Sequence, residues 1–60
     1  MSAEILIIDD NSDIRLILNE LILEAGYKTR LAANYNQALL EIDKKIPDVA
    51  IIDVKLDKGD

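Results

Sequence analysis

The chain has no cysteine and no histidine. Disulfide staples, zinc sites built on thiolate or imidazole, and His-based catalysis are therefore excluded. Basic residues are scarce, with seven Lys and Arg against twelve Asp and Glu, for a net charge of −5. A duplex-binding surface needs clustered cations to displace phosphate counterions. Lys44 and Lys45 are the single adjacent pair, so direct nucleic-acid binding by this segment is not expected. Apolar runs are short, Ile5 to Ile8 among the longest, far below the ~20 residues of a membrane span. The N-terminus lacks a basic start followed by an apolar stretch, so no signal peptide is expected. These absences lead to the expectation of a cytoplasmic location.

Glycine and proline together fill only three positions, while Ile, Leu and Val fill twenty-one of 60. That aliphatic load excludes a disordered tail. A chain this short buries only about 60% of its unfolded surface, so a lone core is marginal. With no covalent or metal staple, the expectation is half a domain or an obligate oligomer.

Ile5-Leu6-Ile7-Ile8 reads as a strand buried on both faces, ending at Asp9-Asp10-Asn11-Ser12. Ser12 or Asn11 can cap the following helix, and Asp13 suits its positive first turn. Ile14, Ile17, Leu18, Leu21, Ile22 and Ala25 repeat at helical spacing as one apolar stripe, and Gly26 fits a left-handed C-terminal cap. Tyr27 to Ala32 reads as a second strand at an edge, with Lys28 and Arg30 alternating outward. Asn34 with Gln37 resembles a capping box. Tyr35, Ala38, Leu39, Ile42 and Ile46 then form a second amphipathic helix ended by Pro47. Val49 to Val54 is a third strand carrying Asp53 near its end. The order β-α-β-α-β implies an α/β fold with parallel pairing.

Ligands of an open parallel sheet bind beyond the carboxyl ends of its strands. Asp9 and Asp10 end the first strand and Asp53 the third. If those strands are neighbours, three carboxylates converge, and their repulsion calls for a cation. Oxygen ligands without His or Cys favour a hard ion such as Mg2+. Each part alone has a plainer reading, since an Asp pair between strand and helix makes an ordinary turn and cap. The joint pattern is more specific.

Ile5-Leu6-Ile7-Ile8-Asp9-Asp10 and Pro47-Asp48-Val49-Ala50-Ile51-Ile52-Asp53 resemble the first and third strands of a response-regulator receiver domain. The resemblance spans residues 1–60, read as the N-terminal half of such a domain. It implies a flavodoxin-like doubly wound fold, here three parallel strands in the order 2-1-3. It also implies that Asp53 accepts a phosphoryl group from a sensor histidine kinase. Asp10 would be a direct Mg2+ ligand, Asp9 its acidic neighbour, and Lys55 would offer a backbone carbonyl to the ion. The family usually has Pro where this chain has Asp57, which alters the loop after the third strand. The tail Val54-Lys55-Leu56-Asp57-Lys58-Gly59-Asp60 is similar to the NtrX branch of nitrogen-regulation response regulators, whose output is transcriptional.

A receiver is a timed switch in two-component signalling, not an enzyme with turnover. The family's further phosphoryl-contacting residues follow its fourth and fifth strands, so inefficient phosphorylation of the 60-residue chain is expected. The alternative is a self-associating α/β fragment with no signalling activity, a homodimer through the exposed third strand or the first helix. Leu16 and Leu23, on that helix's polar face, would supply the latter contact. A Mg2+-dependent phosphohydrolase usually has a second Asp two residues after the first, where position 55 is Lys. A nucleotide-binding half-domain needs a glycine-rich first turn, and Asp9-Asp10-Asn11-Ser12 has none.

Overall fold

Four consecutive aliphatic residues without glycine suit a strand covered on both sides. In the computed structural model, which describes residues 2–53, that segment is the central strand β1 (Glu4–Asp9). The chain continues through α1 (Ser12–Glu24), β2 (Lys28–Ala32), α2 (Tyr35–Lys44) and β3 (Val49–Asp53). The three strands form one sheet in the order β2-β1-β3, and both pairings are parallel. The expected α/β architecture and strand order are therefore observed.

The register divides the side chains of β1 between two faces. Leu6 pairs with Arg30 and Ala50, and Ile8 with Ala32 and Ile52. Leu6, Ile8 and Ala32 cluster with Ala38 of α2, all nearly inaccessible. Ile5, Ile7 and Asp9 alternate onto the other face, where the Thr29 hydroxyl donates to Asn19 of α1. Leu6 and Ile7 are both fully buried, so each face of β1 is covered by one helix. Burial of each of these large aliphatic side chains contributes about 2 kcal/mol.

Both helices begin where the sequence signals a cap. The Asn11 side chain accepts from the amides of Asp13 and Ile14, and the Asn34 side chain accepts from that of Gln37. Gln37 reaches back to the amide of Ala33 instead of Asn34, one residue beyond the usual capping box. Gly26, at φ +97°, supplies the left-handed residue that turns the chain from α1 toward β2.

No α1 residue is buried: Ile17 and Leu21 of its apolar stripe are as open as Leu16 and Leu23, and Ile14 is 42% exposed. The cause is that, among the described residues, α1 packs only on β1 and β2. Two expectations need correction. Ile46 does not extend α2, which stops at Lys44 with Lys45 extended. A residue preceding proline is disfavoured in the helical region, and Ile46 is 78% exposed. Arg30 does not point to solvent. Its side chain is 17% exposed, because α2 covers that face and supplies partners.

Those partners make a polar lock at the amino end of the sheet. The Arg30 guanidinium bonds the Glu41 carbonyl at 2.8 Å and the Lys45 carbonyl at 2.6 Å. It also pairs with the Glu41 carboxylate at 3.2 Å and the Glu4 carboxylate at 3.4 Å. The Glu4 amide donates to the Asp48 carboxylate at 2.7 Å, and the Asp48 amide donates back to the Glu4 carbonyl at 2.9 Å. This exchange sets the start of β3 beside β1. Beyond it β3 touches no helix among the described residues, and Val49 and Ile52 are exposed.

Candidate functional site

The parallel register that begins with Ile5 opposite Val49 ends with Asp9 opposite Asp53. Paired residues of neighbouring strands project to the same face, with backbones about 4.8 Å apart. The carboxyl end of the sheet thus holds two acids side by side. Asp10 follows β1 directly, in a bend, and is exposed.

The acids differ in environment. Asp53 is exposed at the open edge strand, whereas Asp9 is 2% exposed. Asp9 Oδ1 accepts from the Asn11 amide at 2.9 Å. Asp9 Oδ2 is buried and has no hydrogen-bond partner among the described residues. A buried carboxylate oxygen without a partner is costly. Glu4 Oε1 also lacks a hydrogen bond, yet Arg30 stands 3.4 Å and Lys45 3.8 Å from it. Among the described residues no such ion pair reaches Asp9, Asp10 or Asp53. The nearest approach is that of Arg15, whose Nη1 donates to the main-chain oxygen of Asp9 at 2.6 Å.

A divalent ion would relieve this arrangement. The donors are all carboxylate oxygens, suited to a hard cation, and Asp9 Oδ2 is an oxygen in need of a partner. Among the described residues no group of three or more His, Cys, Asp or Glu side chains is placed to hold a metal ion, so the expected convergence of Asp9, Asp10 and Asp53 into a three-carboxylate cage is not found. Mg2+ does not require a cage, because it commonly takes one or two carboxylates and fills its octahedron with water and phosphate oxygens. The donor set fits that ion. Lys55 lies outside the described residues.

Two features escaped the reading of the sequence. The burial of Asp9 follows from α1 lying over its face, which strand patterning does not reveal. Arg15 carried a usable signal: a cation near the start of a helix opposes the macrodipole, so its placement there called for a specific partner.

The profile of the response regulator receiver domain matches residues 5–60 of this chain. The chain is 45% identical over 56 residues to Sporulation initiation phosphotransferase F of Bacillus subtilis, covering 93% of this chain and 45% of that protein. It is 37% identical over 57 residues to the Probable transcriptional regulator ycf27 of Pyropia yezoensis, covering 95% of this chain and 24% of that protein. A Putative response regulator NtrX-like of Rickettsia bellii is 36% identical over 53 residues, which are 88% of this chain and 11% of that protein. The chain spans less than half the length of these relatives. No solved structure matches it. Among the described residues, no helix is long and apolar enough to cross a membrane.

Proposed function

The chain belongs to the response regulator receiver domain family, and from that premise we propose that Asp53 is its phosphoacceptor in two-component signalling. The observation that carries the reading is the β1–β3 register, which aligns Asp9 with Asp53 beside an unpartnered, buried Asp9 oxygen. Asp9, Asp10 and Asp53, with the Lys55 carbonyl, would hold Mg2+, which when bound offsets the charge of the incoming phosphoryl group. The Asp53 carboxylate attacks phosphorus in line with the leaving nitrogen of a kinase phosphohistidine. The P–N bond breaks, an acyl P–O bond forms, and the imidazole departs with the electron pair and takes up a proton. Asp53 sits exposed on an edge strand, open to a donor the size of a kinase domain. The name of the Bacillus subtilis relative, a phosphotransferase, agrees with phosphoryl transfer as the chemistry.

Incubation with acetyl phosphate and Mg2+, followed by intact mass measurement, tests the assignment. The expected result is gain of one phosphoryl group that disappears in Asp53→Asn. Gain that survives Asp53→Asn would refute the assignment of Asp53.

A second reading, self-association, rests on β3. Among the described residues it is an edge strand that touches no helix, and Val49 and Ile52 are 50% and 57% exposed. Such an edge pairs with other chains, and a two-fold axis would join two copies of β3 antiparallel. Light scattering on the eluting protein distinguishes a dimer, which this reading expects, from a monomer, which removes it.

A further inference from the structure

Arg15 stands where helices ordinarily disfavour a cation. It lies three residues after Ser12, the first residue of α1, near backbone amides that already create positive potential. Its Nη1 donates to the Asp9 carbonyl at 2.6 Å in a part-buried contact. That oxygen belongs to the rigid peptide plane joining Asp9 to Asp10. The side chain of Asp9 is restrained separately, through Oδ1 and the Asn11 amide. One acid is therefore gripped at its main chain by α1 and at its side chain by the helix cap. Among the described residues its Oδ2 has no partner.

We propose that Arg15 is a positioning residue for the cation corner: its guanidinium fixes the Asp9–Asp10 peptide and thereby the placement of both acids. The inference rests on the reading of Asp9, Asp10 and Asp53 as cation ligands. Two influences of Arg15 on a bound cation have opposite signs. Its charge repels the ion, and its hydrogen bond orders the ligands. The contact is short and charge-assisted, and it is made to a neutral carbonyl instead of to either carboxylate. The guanidinium is thus spent on the backbone and leaves the acid oxygens free. Lysine offers a flexible point charge without the planar fork, so it does not reproduce the restraint.

The sign difference makes the test decisive. Mn2+ serves as the probe, titrated into the 60-residue chain while broadening of the backbone amide resonances reports site and affinity. Arg15→Gln and Arg15→Lys are compared with the parent, and far-UV circular dichroism reports whether each keeps its helices. Positioning predicts about tenfold weaker Mn2+ binding in both variants, with broadening still centred on Asp9, Asp10 and Asp53. Unchanged or tighter binding in Arg15→Gln, or full affinity in Arg15→Lys, overturns the proposal. Should Arg15→Gln lose its helices, Arg15→Lys, which keeps charge and stem, decides by the same criterion. Absence of broadening near Asp9 and Asp53 in the parent is a different result: it overturns the cation reading itself, and the role of Arg15 with it.

Discussion

At the amino end of the sheet, Glu4 and Glu41 meet Arg30, Lys44 and Lys45, and Asp48 is absorbed by a backbone amide. At the carboxyl end, Asp9, Asp10 and Asp53 have no ion-pairing partner among the described residues, although Asp9 is the more deeply buried acid. The same short chain therefore matches charge at one end and leaves it unmatched at the other. Folding alone explains the first, because a part-buried carboxylate stays only when paired and hydrogen-bonded. It does not explain the second. Acids aligned across two strands repel each other, and the proposed cation and phosphoryl group, bound at the ligand-binding rim of a parallel sheet, would account for their presence.

The sharpest way to probe the matched end is Arg30→Ala. It strands Glu4 and Glu41 without their shared cation and frees the carbonyls of Glu41 and Lys45. The expected cost is about 3 kcal/mol, comparable to the whole stability a core of this size supplies. Urea denaturation followed by circular dichroism should show a chain largely unfolded even in water. A cost below about 1 kcal/mol, the range of exposed pairs, would show that the lock is only a surface network.

Asn11→Ala probes the unmatched end through the helix that frames it. Loss of the side-chain cap on Asp13 and Ile14 should lower stability by about 1 kcal/mol. The Asn11 amide that holds Asp9 Oδ1 is main chain and survives the substitution. Chemical shifts of Asp9 should accordingly change little, and a large shift would mean that the cap and the acid are one unit.

The smallest expected effect has the opposite sign. Asp53→Asn removes one of two adjacent acids at the rim, so in the absence of divalent ions the variant should be slightly more stable, by about 0.5 kcal/mol. Equal or lower stability without added metal would mean that Asp53 is already compensated in the folded chain. The contrast between the two ends would then weaken.

The strands and both helix starts could be read directly, because apolar runs of four and Asn caps act locally. Ile5 to Ile8 specifies a covered strand without knowledge of what covers it, and the Asn11 and Asn34 caps are set by their own turns. The burial of individual side chains could not be read, because it depends on which elements lie alongside. Ile17 and Leu21 look like core in a helical projection and are more than half exposed. Arg30 looks like surface in strand alternation and is mostly covered. In the candidate site, Asp9, Asp10 and Asp53 stood out by residue type and strand position. The asymmetry between buried Asp9 and exposed Asp53 came from α1 packing over one face. The contact of Arg15 with Asp9 spans a strand end and a helix turn, so only the fold reveals it.

The central claim is that the carboxyl-end acids are kept to hold a hard divalent cation, and thermal unfolding with and without Mg2+ tests it most directly. Binding to the folded chain alone should stabilise it, by about 2.7 kcal/mol at one hundred times the dissociation constant. The account predicts a rise in Tm that grows with Mg2+ concentration in the parent, persists in Asn11→Ala and is lost in Asp10→Asn. A parent Tm indifferent to Mg2+, or an equal rise in Asp10→Asn, would contradict it.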